Sequence, residues 1–238
     1  MHSALDETKL ERWKAKAFIQ KEYSMSQNFK PVTVGIMGGS ASGKTTFAKA
    51  LAEELKAFSP VILHQDFYFR DWSEYPPEER EKVITANHPD AVLWDGLIGH
   101  IEQLAARQPI ETPVQGTRGA ARGDDKDTVH PGDLVIVEGH LIFWDERLRE
   151  LMDIKLFIDV DAHERVLRRL LRDVAQRGGD LEWAVGWYRR DVLPNFPVYT
   201  EPCKQYADLV IPYLNENPVA LEMLVTGIRE KIEGQRCV

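Results

Sequence analysis

The chain has 238 residues, 43% of them hydrophobic, which suits a single α/β domain with a sizeable core. Its formal charge of −8 excludes a general nucleic-acid binder, so any polyanionic ligand requires a local basic cluster. Two cysteines (Cys203 and Cys237) make no disulfide framework, no run reaches the roughly 20 apolar residues of a membrane helix, and a signal-peptide core is absent, so a reducing, cytoplasmic setting is expected.

Residues 1–30 read as an N-terminal helical extension, charged from Leu5 to Tyr23, with Leu10, Trp13, Ala17 and Phe18 near one face. From residue 31 onward, strand and helix signals alternate. Val32–Met37 is a short β-branched run, Thr46–Phe58 reads as a helix, and Val61–Leu63 is a second apolar run. Ala91–Arg107 is helical, with Leu93, Leu97, Ile101 and Leu104 spaced by three and four. Leu134–Val137, Leu156–Val160 and Ala207–Ile211 are further buried-strand candidates, and Pro218–Ile232 is a last helix. Short apolar runs alternating with helices predict a parallel sheet covered on both faces, and the polar, glycine-rich Gly116–Lys126 predicts a loop or flap.

Gly38-Gly39-Ser40-Ala41-Ser42-Gly43-Lys44-Thr45 satisfies G-x-x-x-x-G-K-[ST] between a strand and a helix, and Thr46 continues it into that helix. Glycines let the backbone wrap a phosphate with its N–H groups while the helix directs its positive end at the same anion. Lys44 reaches the β- and γ-phosphates in such a loop, and the Thr45 hydroxyl ligates magnesium. The motif marks a nucleotide site rather than a reaction. Because the guanine-reading Asn-Lys-x-Asp and the Leu-Ser-Gly-Gly-Gln signature are both missing, a kinase is the leading class.

A kinase needs a carboxylate for the acceptor proton and acids to hold magnesium. Asp66 follows the second apolar run, where strand ends of an open α/β sheet form the ligand crevice; a turn or helix-cap aspartate is the alternative. Glu138 ends the run Leu134–Val137, at a Walker-B-like position, against the alternative of a strand-end acid facing solvent. Asp159 and Asp161 are explained by capping of the next helix. Arg165, Arg168, Arg169 and Arg172 fall at i, i+3, i+4 and i+7, with Arg177 beyond. A solvated face is the plain account of such a helix, but beside a phosphate loop a lid that closes on ATP is the better one, over about residues 163–195 of a kinase domain spanning 31–238.

These pieces, with His88-Pro89-Asp90-Ala91, Val137-Glu138-Gly139, Arg169-Leu170-Leu171-Arg172-Asp173 and Lys204-Gln205-Tyr206-Ala207-Asp208, resemble the uridine kinase family within the uridine kinase and phosphoribulokinase group, over about residues 31–232. The resemblance implies a P-loop fold of five parallel strands with an arginine lid, and ATP with Mg2+ as donor to a primary hydroxyl. It implies Asp66 as catalytic base, Thr45, Asp66 and Glu138 as the magnesium environment, Arg172 and Arg177 on phosphates, and Arg169 beside the acceptor, where Tyr68 and Arg122 also belong. A homo-oligomer is a further implication.

Departures concentrate on the acceptor side. The family's aspartate before His-Pro is Asn87; its Pro-Val-Tyr-Asp-Phe-x-x-His-x-Arg box becomes Pro113–Arg122 with Gln115, Gly116, Thr117 and Ala120, and only Arg122 kept. The arginine after Arg-Gly is Gly179, a glutamine becomes Trp187, and His140 stands where an aliphatic residue is usual. The residues around ATP are intact. The leading expectation is therefore a kinase of a small sugar- or nucleoside-like acceptor, with a genuine uridine or cytidine kinase and an inactive nucleotide-binding regulator as rivals. Trp187 is placed to stack on the acceptor or in the core.

Overall fold

The computed structural model describes residues 29–236, so the extension expected over residues 1–30 lies almost entirely outside the described residues. In chain order the elements are β1 (Val32–Met37), α1 (Lys44–Glu54), β2 (Val61–His64), α2 (Pro77–Val83) and α3 (Trp94–Ala105). The short strands β3 (Ile110–Thr112) and β4 (Asp127–Val129) flank α4 (Arg118–Arg122). There follow β5 (Leu134–Gly139), α5 (Glu146–Glu150), β6 (Ile154–Asp159), α6 (Ala162–Leu170), α7 (Leu181–Trp187), α8 (Leu193–Asn195), β7 (Leu209–Pro212) and α9 (Pro218–Arg236).

The five expected strands form one parallel sheet in the order β2-β5-β1-β6-β7. β1 and β5 are buried along their whole length because helices cover both faces. Alternate residues go to opposite layers, following the two-residue period of a strand. Val32, Val34, Ile36 and Ile136 pack on Phe47 and Leu51 of α1 and on Ile228 and Ile232 of α9. Met37, Val135 and Val137 pack on Leu97, Ile101 and Leu104 of α3 and on Phe143. Each such buried side chain contributes about 1.5–3 kcal/mol relative to exposure. Among the described residues no helix is long and apolar enough to cross a membrane.

The differences from expectation have local causes. The helix expected from Ala91 begins only at Trp94, because Pro89–Ala91 forms a 3₁₀ turn whose cap, His88, accepts the Asp90 N–H. The Gly116–Lys126 segment is not a plain loop. Thr117 caps α4 through the Ala120 N–H, Gly123 ends it at φ 75°, and β3 and β4 close antiparallel with Thr112 opposite Asp127. A five-residue helix leaves no apolar period to read.

At the amino end of β5, a Cβ added to Gly132 would lie 1.7 Å from the Ser59 carbonyl oxygen. The adjoining backbone is fixed by Asp133 N–H to Phe58 O (2.9 Å) and by Arg107 Nη1 to Gly132 O (2.9 Å). Gly132→Ala is expected to lower stability by about 1–3 kcal/mol through forced backbone displacement. Because the site below lies at the other end of the sheet, equilibrium denaturation should show the loss while nucleotide affinity stays unchanged.

Candidate active site

Register brings the site together. Met37, the last residue of β1, pairs with Gly139, and His64, the last of β2, pairs with Glu138. The Gly38–Thr45 loop, Glu138 and the turn carrying Asp66 therefore emerge side by side at the carboxyl edge of the sheet, where parallel α/β folds bind ligands.

The loop needs its glycines. Gly43, which caps α1, has φ +93°, and a Cβ there would lie 2.7 Å from the Tyr213 ring; one on Gly38 would lie 2.7 Å from Ile158 O. Ala41 also takes a left-handed φ of 63°, and Ser42 N–H closes back on Gly39 O at 3.1 Å. The first turn of α1, with its unsatisfied N–H groups, thus faces the loop interior, an arrangement suited to phosphate. Ser42 Oγ is buried there without a protein partner among the described residues.

Beneath the loop, Thr45 Oγ1 donates to Glu138 Oε1 at 3.0 Å, and His64 Nδ1 donates to the same oxygen at 2.6 Å. Glu138 is only 5% exposed, so the solvent-facing alternative does not hold. Burial pushes its pKa up, but the His64 hydrogen bond and the charge of Lys44 outweigh burial, and the carboxyl is held below its ordinary range. Its other oxygen, Oε2, is buried with no partner among the described residues. An ionised oxygen without a donor, next to a hydroxyl, is a hard-donor set that fits magnesium, which takes one or two carboxylates and leaves its remaining positions to phosphate and water.

Asp66 lies on the 3₁₀ turn Gln65–Tyr68 and is exposed. Gln65 fixes that turn, its Oε1 accepting the Leu141 N–H at 2.8 Å. The Asp66 charge acts on both Arg118 and His140.

The arginines do not share one exposed face. Arg165 is buried, donates Nε to Val160 O at 3.1 Å and stacks 4.0 Å from the Phe196 ring centroid, against Gly39. Arg168 bonds Glu164 at 2.8 Å and the carbonyls of Tyr213 and Leu214, tying α6 to the chain after β7. Arg169 alone of the four bonds the phosphate loop, with Nη1 on Ser40 Oγ at 3.1 Å. Arg172 and Arg177 are held on Asp173, at 2.8 and 3.4 Å. Asp161 caps α6, as expected, by accepting the His163 N–H.

Residues 84–87 form the other wall. Asp191 accepts from the Thr85 hydroxyl, from Ala86 N–H at 3.0 Å and from Asn87 Nδ2 at 2.6 Å. Arg190 Nη2 donates to Ile84 O at 2.9 Å, Arg118 Nη2 to Thr85 O at 3.0 Å, and His140 Nε2 to Ala86 O at 2.7 Å. This last bond places the His140 proton on Nε2 and leaves Nδ1 a lone pair.

Three residues expected on the acceptor side make contacts of their own in this structure. Tyr68 turns into the core, where its hydroxyl shares a 2.8 Å hydrogen bond with His100 Nδ1. Arg122 is exposed and pairs with Asp124 at 2.6 Å. Trp187 stacks on Trp183 at 5.7 Å beneath the Arg190 guanidinium, and these contacts stay within residues 183–190. Sequence reasoning missed Asp191 and Arg118, which no motif or periodicity marks.

A glycine phosphate cradle on a parallel sheet, with strand-end acids beside it, defines a P-loop nucleotide-binding protein. The sequence matches the Phosphoribulokinase / Uridine kinase family over residues 33–220. It is 45% identical over 204 residues to a uridine kinase of Anoxybacillus flavithermus, covering 86% of this chain and 96% of that protein. It is 44% identical over 200 residues to a uridine kinase of Lactiplantibacillus plantarum, covering 84% and 95%. The fold is similar to that of a Silicibacter protein described as a fructose transport system kinase (TM-score 0.58, 20% identity, 77% of this chain and 90% of that one). It is also similar to that of a D-glycerate 3-kinase from Cryptococcus neoformans (TM-score 0.55, 14% identity, 80% and 89%). The chain belongs to the phosphoribulokinase and uridine kinase family and is an ATP-dependent phosphotransferase acting on a hydroxyl group.

Burial holds the imidazoles of His140 and His100 below the ordinary histidine range, against the opposing charge of Asp66 in the case of His140. Below about pH 6.5 the unfolded chain takes up protons that the folded protein excludes, so these groups make stability fall with acidification, by at most about 1.4 kcal/mol per pH unit for each. In urea unfolding between pH 8 and pH 5, His140→Asn is expected to flatten that decline. An unaltered pH slope would show that His140 does not contribute to it.

Proposed function

We propose that this chain moves the γ-phosphoryl group of ATP to a primary hydroxyl of a small sugar- or nucleoside-like acceptor, with magnesium. The observation that carries this reading is the contact of Thr45 with Glu138 beneath the phosphate loop, with one carboxylate oxygen buried and free. The loop amides from Gly38 to Thr46 and the N-terminus of α1 bind the phosphates, and Lys44 neutralises the β- and γ-oxygens. Thr45, Glu138 and Asp66 would hold a magnesium ion, directly or through water, which would supply charge neutralisation to the phosphates when bound. Asp66 accepts the proton of the attacking hydroxyl, and the exposed turn suits that task because the acceptor must approach from solvent.

Arg169 extends its guanidinium from α6 to the phosphate loop and stabilises charge on the transferring group. Residues 163–195 act as a lid, with Arg172 and Arg177 exchanging Asp173 for phosphate oxygens on closure. Asn87 and His140 face the acceptor with hydrogen-bond acceptors, Oδ1 and Nδ1. A second reading, phosphorylation of uridine or cytidine, is favoured by the 44–45% identity to proteins named uridine kinase. Against it stand Gln115, Gly116, Thr117 and Ala120, which provide no arginine or histidine to read a pyrimidine edge.

Asp66→Asn is expected to leave ATP affinity nearly intact and to lower turnover by about 10²-fold or more. Isothermal titration with a nonhydrolysable ATP analogue, alongside ADP release under saturating acceptor, measures the two effects separately. Turnover equal to the parent protein would remove Asp66 from the role of base.

A further inference from the structure

Among the described residues Arg118 makes hydrogen bonds to carbonyls but no ion pair. Nε donates to Arg70 O at 3.2 Å and Nη2 to Thr85 O at 3.0 Å, while the guanidinium lies 5.0 Å from the Phe69 ring centroid. Its backbone is pinned too, with N–H donating to Phe69 O at 2.9 Å and Arg70 bridging Thr117. The two carbonyls use the side-on fork made by Nε and Nη2. The end-on fork, one N–H from each terminal nitrogen, is left open, and no carboxylate among the described residues lies within ion-pair distance of Arg118. Arg122, four residues on, is by contrast neutralised by Asp124.

The position matters as much as the free donors. Arg118 braces the wall that carries Asn87 and lies within range of the charges of Asp66 and Asp191. An anion entering beside those two carboxylates is repelled unless a fixed cation meets it. The other groups on this wall, Asn87 Oδ1 and His140 Nδ1, accept hydrogen bonds and so suit hydroxyls.

We propose that Arg118 binds an oxyanion on the acceptor through its open fork, so that the substrate is a small polyhydroxylated acid, a carboxylate or a phosphate ester, rather than a neutral nucleoside. This rests on the phosphotransferase reading above and narrows its substrate class. The transfer is unchanged. The acceptor hydroxyl oxygen attacks the γ-phosphorus, the bond from that phosphorus to the bridging oxygen of ADP breaks, and the hydroxyl proton passes to Asp66. A guanidinium fits because it presents two parallel donors to one oxyanion, and its bracing removes most of the ordering cost of binding.

The test uses the full-length protein, ATP and acceptors matched except for charge: D-gluconate against D-glucitol, ribose 1-phosphate against ribose, and uridine. ADP release is expected to favour one of the charged members over its neutral partner, the two pairs distinguishing carboxylate from phosphate. Arg118→Gln should reduce that preference by about 10- to 100-fold. The loss should fall on the KM of the charged acceptor, with the KM of ATP unchanged and partial recovery in Arg118→Lys. Calorimetric binding of gluconate and ribose 1-phosphate to the wild type and to Arg118→Gln checks the same point without turnover. A preference for neutral acceptors, an equal fall in kcat for every acceptor in Arg118→Gln, or failure of both charged probes to bind or react would each overturn the proposal. If uridine is phosphorylated in those cases, the phosphotransferase reading survives; if no acceptor elicits ADP release and ATP does not bind, that reading falls as well.

Discussion

A carboxylate buried at the end of a central strand is expensive unless its surroundings favour the charge, and Glu138 shows what that requirement imposes. Its ionised form is held by the Thr45 hydroxyl and the charge of Lys44, both from the start of α1, and by His64 from the end of β2. Thr45 and Lys44 open α1, so the loop before them must begin where β1 ends next to β5. His64 must end β2 on the other side of β5, which the register of the sheet provides. One buried charge thus ties the strand order β2-β5-β1 to the phosphate cradle and to the turn that carries Asp66.

A second tie runs between the chain after α7 and residues 84–87. Residues 84–87 have no regular secondary structure, yet their polar groups are held by Arg190 and Asp191 from after α7, by Arg118 from α4 and by His140 from after β5. Asp191 alone satisfies a hydroxyl, a backbone N–H and an amide. Removing one partner of such a buried network leaves the others unpaired, so residues 84–87 and the segment carrying Arg190 and Asp191 hold their geometry together.

The sheet and the phosphate half of the site were legible in the sequence because their information is local. Strands buried on both faces read as short apolar runs, and a loop that wraps phosphate with its own backbone needs glycines at adjacent positions. The acceptor half was not legible. The place of Tyr68 in Asp66-Phe67-Tyr68 predicts a position at the substrate, whereas the 3₁₀ turn points it inward to His100, and turn geometry is not encoded by a two- or three-to-four-residue period. Arg165, Arg168 and Arg169 of α6 and Arg172 just after it share one face by spacing, because spacing reports angular position only. Their different roles arise from what surrounds each guanidinium: Phe196 and a carbonyl for Arg165, the chain after β7 for Arg168, and Ser40 for Arg169. Asp191 meets Asn87 across 104 positions, and no local pattern announces such a pair.

This asymmetry bears on how acceptor choice diverges within one family. Phosphate is recognised largely by backbone N–H groups and a helix terminus, which tolerate few sequences and are the same for every nucleoside triphosphate. Acceptors are recognised by side chains that arrive from separate elements, and each can be exchanged without disturbing the sheet, provided the buried polar groups are paired again. At position 87 the exchange is visible: an amide stands before His88-Pro89, and a carboxylate from residue 191 meets it at 2.6 Å, so acid and amide remain hydrogen-bonded in the wall. Identity of 45% with proteins named uridine kinase is therefore compatible with a different acceptor, since the residues that contact an acceptor are few and come from scattered elements, so a small number of exchanges changes them without changing the fold.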